Sequence, residues 1–480
     1  MKKEVTPDQH HISRRGFIRY SACASVGTLS LLNTMLGLRQ MNAMVANNSD
    51  LSGDDYKAIV CIFLYGGNDS ANVLIPTASP YYDDYAAGRA QLTLPRESLL
   101  RLNAANDDGR DFGIHPAMGG CAELFGGGDL AFLANVGTLF APADIGDYRN
   151  RTNAIPPHLF SHNDQQVMWQ TSVPHQDTAY HPTGWGGRMG DLLSSVHNDS
   201  SISMMISLSG TNFFQVGNTM LPLRLGSGGD LTNYKLATSG SGSRADARFH
   251  SYSEILDQEY ADLMEQAFAD LSNRAIEDAD TVNQALEAAN DYDELIPDSG
   301  LGRQLAMISR LIQAGPALGL KRQVFFCATG GFDTHGPQLA THAGLLGNVS
   351  ACMKGFHDAL VAMGKNDEVT TFTASDFGRT FDSNGRGSDH GWGSHHMIMG
   401  GAVNGQQIYG KYPDLTLNSN PLDTGRGRWL PTTSVDQYGA TLARWFGITS
   451  EEDMRVIFPN IGNFSQQDLG FMQANTTPSA

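Results

Sequence analysis

The chain has 480 residues, with 50 Asp and Glu against 32 Lys and Arg and a net charge of −18 at pH 7. An acidic balance of this size repels phosphate backbones and anionic lipid, which excludes nucleic-acid and membrane-surface binding as the main activity. Apolar residues make up 41%, enough for a large core, and the 53 glycines fall in short turns rather than one low-complexity run, so many tight loops are expected.

Residues 1–46 read as a twin-arginine export signal. SRRGFIRY (Ser13–Tyr20) contributes the pair Arg14 and Arg15, and the mildly apolar run SACASVGTLSLLNTMLGL follows from Ser21 to Leu38. Cleavage is expected after Ala43 or Ala46. An uncleaved anchor is the alternative, although so polar a run suits a hydrocarbon core of about 30 Å badly. The expected partner in export is the twin-arginine translocase, and the expected location is periplasmic or secreted, with no membrane segment left once the signal is removed. Substrates of this route cross folded, with any metal already loaded.

The apolar run KAIVCIFL (Lys57–Leu64) ends in the glycine turn YGGNDS, the pattern of a buried strand. The theme recurs at Leu130–Thr138, Ser201–Gly210, Gln323–Gly331, Val369–Gly378 and His396–Val403. Helical patterns lie between: HPAMGGCAELF, GWGGRMGDLLSSV, GLLGNVSACMKGFHDALVAMG and VDQYGATLARWFGI. This alternation predicts an α/β fold with a mostly parallel central sheet sandwiched by helices, spanning residues 47–470. Residues 225–300 are expected to be a helical insertion, because Tyr252–Ile296 lacks Gly and Pro and repeats apolar residues at helical spacing. The insertion is either a cap over the site or a packed surface element. Residues 471–480 are expected to form a flexible tail. Cys61 and Cys327 sit in apolar runs and read as small hydrophobes, with a disulfide among the mature cysteines left open.

In sheets of this kind, functional groups gather on loops beyond the strands' carboxyl ends. Asp69 follows the first strand. GGFDTHG offers Asp333 and His335, TASDFGRT offers Asp376 and Arg379, and SDHGWGSHHMIMGG offers Asp389, His390, His395 and His396. Carboxylates and imidazoles brought together from separate strands are how divalent-metal sites are assembled. In HLFSHNDQQVMWQT a helix opens at Ser161 or Asn163. Ser161 is there either a cap paired with Asp164 or a nucleophile in the positive field of a helix N-terminus.

These motifs, in this order, resemble the family called Domain of Unknown Function 1501 over nearly all of the mature chain: FLYGGNDSANVLIPT, HPAM, SHNDQQVMWQT, GFDTHG, SDFGRT, DHGWGSHHMIMGGAV and DQYGATLARWFGI. That family is grouped with the alkaline phosphatase-like superfamily. The resemblance implies an alkaline phosphatase-like sandwich with metal at the strand ends. It implies Asp69, Asp333, His335, Asp376 and His390 as ligands of one or more divalent ions, with zinc, manganese, calcium and magnesium not distinguished. It implies Ser161 as the metal-activated nucleophile and His335 as the proton donor; Arg379 is placed either to hold an anionic ester group or to form a salt bridge with a local carboxylate, and Arg386 lies on the same loop. Phe377 replaces a histidine of the superfamily pattern, so His395 or His396 is expected to compensate, and Gly439 stands where proline is usual. His115 is expected to cap the helix that follows it, and His175, His181, His342 and His357 to lie on solvated faces.

The function that follows is an exported metal-dependent hydrolase of phosphate or sulfate esters, acting on a small molecule or polymer. The alternative is a non-catalytic exported scaffold that keeps the fold, perhaps with a structural metal, and a second exported protein is a further expected partner. Replacing Arg14 and Arg15 together by lysine is expected to hold the protein in the cytoplasm of an expressing bacterium. Cell fractionation reads this, and undiminished export removes the signal assignment.

Overall fold

The computed structural model describes residues 55–173, 183–198, 200–226 and 244–474. The export signal with Arg14 and Arg15, His175, His181 and the last six positions lie outside the described residues.

The strands are β1 (Lys57–Leu64), β2 (Leu74–Pro76), β3 (Leu100–Arg101), β4 (Phe112–Ile114), β5 (Leu130–Gly137), β6 (Met205–Ser207), β7 (Leu223–Arg224), β8 (Arg322–Thr329), β9 (Val369–Ser375), β10 (Ser394–Met399), β11 (Ile408–Gly410) and β12 (Thr433–Ser434). The main sheet runs β11-β5-β10-β9-β1-β8-β6-β7, with β12 also on β5, and β2, β4 and β3 form a small second sheet. All eight residues of β1 and of β5 are buried, as expected for strands covered on both faces. Every pairing in the main sheet is parallel except those of β10, which runs antiparallel to both β5 and β9.

The helices are α1 (Tyr81–Arg89), α2 (Gly119–Gly127), α3 (Ile145–Asn150), α4 (His162–Thr171), α5 (Trp185–His197), α6 (Arg244–Leu256), α7 (Leu263–Glu287), α8 (Gly300–Ala314), α9 (Gln338–Ala362), α10 (Val435–Phe446) and α11 (Glu451–Ile457). The expected α/β architecture is therefore present. The Ser201–Gly210 strand is shorter than expected, because Ser207 Oγ turns back to donate to Gly210 O at 2.7 Å. α10 opens on a capping box between Ser434 and Gln437. At Gly439 a Cβ would lie 2.5 Å from the Phe458 ring, so the position that breaks the superfamily pattern is a close helix contact.

The chain divides into two units, one holding residues 231–284 and the other residues 49–230 with 285–480. The smaller unit contains α6 and most of α7, with Leu256, Ala269, Ala279 and Val282 buried along them. In the larger unit Phe471 is fully buried and Met472 bridges Val403, so the ordered body passes the point where a tail was expected. Cys61, Cys121, Cys327 and Cys352 are all buried and free. Among the described residues no helix is long and apolar enough to cross a membrane.

Asp436, in the first turn of α10, is 2% exposed and accepts a hydrogen bond from Ser172 Oγ at 2.6 Å. Burial pushes its carboxyl up to about 7, against the pull of Ser172, Asn460 and Arg188. An unfolded aspartate titrates near 3.9, so the contribution of this group is complete below about pH 4 and is lost as pH rises through about 7. Asp436→Asn removes the titration. The stability difference between wild type and variant, from urea unfolding, is expected to shift in the variant's favour across that window and to be level outside it.

Candidate metal centre

β9, β1 and β8 are parallel neighbours that end level, with Leu64 opposite both Thr329 and Ser375. The three loops that follow emerge along one edge. The antiparallel β10 starts at that same edge, so the residues preceding it, Asp389 and His390, arrive there as well. α4 supplies Ser161 and His162 from its first turn.

Close packing fixes these loops. Ser375 Oγ donates to Leu64 O at 2.7 Å and accepts from Asn68 N at 2.9 Å, tying the first turn to β9. Gly66 has φ +115°, and a Cβ there would lie 2.4 Å from Asp333 N, so the β1 turn rests directly on the Asp333 backbone. Arg379 then joins all the segments. Its side chain is 0% exposed, and it donates from Nε to Ser388 Oγ (3.0 Å), from Nη1 to Gly66 O (2.9 Å) and Asp333 Oδ1 (2.8 Å), and from Nη2 to Ser388 O (2.6 Å).

Asp333 is the focus of the site. Burial raises its pKa, but the Arg379 bond and charge, with His335 and His162, outweigh it and hold the carboxyl below its usual range. Three imidazoles direct Nε2 toward it. His162 Nδ1 lies 2.6 Å from Asp376 Oδ2, leaving Nε2 3.5 Å from Asp333 Oδ2. His390 Nδ1 lies 2.7 Å from the carbonyl of Phe160, leaving Nε2 3.2 Å from Asp333 Oδ1. His335 Nδ1 lies 3.1 Å from Asp389 Oδ1, with Nε2 3.0 Å from both Asp333 Oδ1 and His390 Nε2.

The oxygens behind the rings decide the tautomers. Behind His390 the Phe160 carbonyl can only accept, so His390 Nδ1–H donates and the neutral ring keeps a bare Nε2; Asp376 Oδ2 holds His162 by Nδ1 in the same way. Burial and the neighbouring His162 and Arg379 charges pull the His390 pKa down, against the raising effect of Phe160 O. A neutral His390 thus points a lone pair toward a carboxylate oxygen, an arrangement that a cation between them would relieve.

His162, Asp333 and His390 each offer a ligand atom, all within 4.8 Å of one another. Metal–ligand distances of about 2.0–2.2 Å imply tetrahedral edges of roughly 3.3–3.6 Å, close to the 3.5 Å and 3.2 Å that separate His162 Nε2 and His390 Nε2 from the nearer Asp333 oxygens. An imidazole anchored through Nδ1 to an oxygen is also the usual support of a metal-bound histidine. The residues present fit a divalent ion.

The expected residues separate into groups. Asp333, His335 and His390 meet. Asp376 stands behind His162 and does not face the centre: Oδ2 takes His162 and Gln166 Nε2 (2.9 Å), while the buried Oδ1 has no hydrogen-bond partner. Asp69 is not at the centre, because its fully buried carboxylate is paired with the equally buried Arg89 and accepts from Gln338 Nε2. Arg379 cannot receive a substrate anion, since protein oxygens already take its guanidinium. Arg386 is exposed, and its side chain has no partner among the described residues. Ser161 is the N-cap of α4 but makes no capping bond; its hydroxyl donates instead to Asp164 Oδ2 at 2.5 Å.

The histidine missing at Phe377 is not replaced by His395 or His396. Both are buried; His395 Nδ1 accepts from Asn135 N at 3.0 Å, and His396 packs against Trp169 and Tyr438. His162 lies on that side instead, with its ring centroid 4.9 Å from that of Phe377, which also lies 4.8 Å from His390 and so forms a floor under both imidazoles. His115 Nδ1 accepts from Ala117 N at 3.0 Å, in the turn before α2. His342 and His357 are buried rather than solvated, the former 2.9 Å from Asn68 Oδ1.

Sequence reasoning left His162 unplaced because no strand precedes it. It also passed over Arg426, whose Nη1 donates to Asp389 Oδ2 at 2.5 Å, and Arg428, whose Nε donates to His390 O at 2.9 Å. Burial raises the Asp389 pKa, but the bonds from Arg426, Asn384 and His335 dominate and leave the carboxyl well below its ordinary value. The only signal for these two arginines was their spacing in the glycine-rich TGRGRW.

The family described as "Protein of unknown function (DUF1501)" matches residues 56–457. The chain belongs to this family. No curated protein matches the sequence. Among solved structures, this family member is similar to Ps i-CgsB in complex with k-i-k-neocarrahexaose, with a TM-score of 0.34 and 10% identity over 85% of this chain and 77% of that one. It is also similar to the soluble domain of lipooligosaccharide phosphoethanolamine transferase A from Neisseria meningitidis, with a TM-score of 0.36 and 7% identity over 85% of this chain and 94% of that one. Likeness of that depth assigns no role to any residue.

Asp69 tests the distinction between a ligand and a structural anion. Asp69→Asn leaves Arg89 buried without its counter-charge and is expected to cost about 3–5 kcal/mol, read as a fall in Tm. Metal content of the folded fraction is expected to stay at the wild-type level, and its loss would return Asp69 to the ligand set.

Proposed function

We propose that this DUF1501 protein is an exported, metal-dependent hydrolase of phosphate or sulfate esters. The observation that carries the reading is the convergence of bare Nε2 atoms from His162 and His390 on the Asp333 carboxylate, each ring anchored from behind by a protein oxygen. Two imidazoles and one carboxylate favour zinc or a similar transition ion over magnesium or calcium, which prefer oxygen ligands. Three protein ligands also leave a position open, as catalytic centres require.

A divalent ion held there supplies a Lewis acid for an ester oxygen and lowers the pKa of an oxygen nucleophile. The chain's own residues supply the rest. Ser161 sits beside the ligand His162 at the N-terminus of α4, where amide groups and the helix dipole stabilise negative charge. Its hydroxyl already donates to Asp164, so Asp164 can accept the proton as Ser161 Oγ attacks phosphorus or sulfur. The bond to the leaving oxygen breaks, and His335 delivers a proton to it from Nε2. That side chain is 45% exposed and is held from behind through Nδ1, 3.1 Å from Asp389 Oδ1. Asp376 and the Phe160 carbonyl hold the two ligand imidazoles in the required tautomer and orientation.

A specific observation keeps the scaffold reading in view. The Ser161–Asp164 pair also satisfies the first turn of α4, and a metal binding His162 would fasten that helix to the sheet edge whether or not turnover occurs.

Elemental mass spectrometry on protein purified without chelators is expected to find near-stoichiometric transition metal. Asp333→Asn combined with His390→Gln is expected to remove it, whereas Ser161→Ala is expected to keep the metal and lower ester hydrolysis by at least about 100-fold. A folded protein that takes up no supplied metal would end the hydrolase reading. Bound metal with no turnover of either ester class would favour the scaffold.

A further inference from the structure

We infer that Arg428 is the residue that grips the tetrahedral oxyanion of the substrate; the assignment rests on the hydrolase reading and specifies its substrate contact. The guanidinium is seated against the His390 backbone and the Phe160 ring by three linked contacts. Arg428 Nε donates to His390 O at 2.9 Å, His390 Nδ1 donates to Phe160 O at 2.7 Å, and the Arg428 guanidinium lies over the Phe160 ring at 4.9 Å. This closed triangle couples the arginine to a metal ligand.

Each corner of the triangle is rigidly supported. Phe160 has φ +73° and packs against the buried cluster of Leu139, Trp392, Leu430 and Phe464. The left-handed backbone, unfavourable for an aromatic residue, leaves the Phe160 carbonyl 2.7 Å from His390 Nδ1. The Arg428 loop is held by Asp423 Oδ1, which accepts from Gly425 N and Gly427 N at 2.8 Å each, and by Thr424 Oγ1 donating to Arg428 O at 2.7 Å.

Arg428 combines this fixed seat with an unused fork. Among the described residues Nη1 and Nη2 have no protein partner, although the residue is only partly exposed. The nearby carboxylates are committed elsewhere: Asp333 to Arg379, Asp389 and Asp382 to Arg426, and Asp423 to loop amides. A cation–π seat and one backbone bond fix the guanidinium plane while leaving two N–H groups for a ligand. That arrangement matches two oxygens of a phosphate or sulfate group, which an ammonium could meet only as a point charge. The ester class is therefore a tetrahedral oxyanion ester, and a neutral carboxylic ester would leave the fork unmatched.

The test uses the full-length chain supplied with zinc, with zinc content measured on every sample. Calorimetric titration with inorganic phosphate and, separately, inorganic sulfate shows which anion binds. Arg428→Gln is expected to keep its zinc and weaken that anion by about 10- to 100-fold, with Arg428→Lys in between. Equal affinity in wild type and Arg428→Gln, or binding of neither anion by zinc-loaded wild type, overturns the assignment while leaving the metal centre standing. Loss of zinc in both Arg428 variants also overturns it, because Arg428 would then serve only to hold His390. Wild-type protein that fails to hold zinc would instead sink the hydrolase reading itself.

Discussion

A guanidinium with no exposure to water must spend its N–H groups on protein oxygens, and Arg379 does so with atoms from three separate loops. Its partners are Gly66 O after β1, Asp333 after β8, and Ser388 before β10, while Arg379 itself follows β9. Leaving any of these bonds unmade would strand part of a buried charge, at a cost of several kcal/mol. The strand-end loops are thereby drawn into one arrangement, and Asp333 acquires both its ionised state and its position. The candidate metal centre is built around that carboxylate, so the residue expected to meet substrate is the one that sets the site's frame.

A second constraint comes from the opposite side. His162 reaches the centre because the chain between β5 and α4 folds over a small apolar cluster and passes through left-handed conformations at His158 and Phe160. That conformation is unfavourable for both residues. It is offset where Phe160 accepts from His390, stacks under Arg428 and joins the Trp392 cluster. The proposed ligand, its support and the proposed anion contact are consequently not independent features; each depends on how one short segment is held. Asp69 and Arg89 show the same logic in the interior, where a buried ion pair bonded through Gln338 to Ser388 braces the loop that Arg379 also uses.

Much of the site was legible as a set of residue types at strand ends. Asp333, His335 and His390 could be named because each sits in a polar, glycine-rich loop beside an apolar run. The same reasoning misassigned Asp69, since a strand-end aspartate looks alike whether it faces solvent, a metal or a buried arginine. For Arg379 it left an anion contact and a salt bridge both open, and burial, which is not written in a local motif, decided for the salt bridge with Asp333. His162 escaped because its partners Asp376 and Asp333 are far away in sequence, and nothing in SHNDQQ signals that the helix start abuts the sheet edge.

By itself the sequence determined the α/β class, the buried strands, the polar loops that follow them and the family, because hydrophobic periodicity and turn chemistry are local and survive in any window of a few residues. Only the tertiary structure decided that β10 runs antiparallel, which places Asp389 and His390 at the edge where β1, β8 and β9 end. It alone decided which charges neutralise one another and which stay available to a ligand. Pairing of that kind depends on distances between residues hundreds of positions apart and on the exclusion of water between them, and neither exists until the chain has packed.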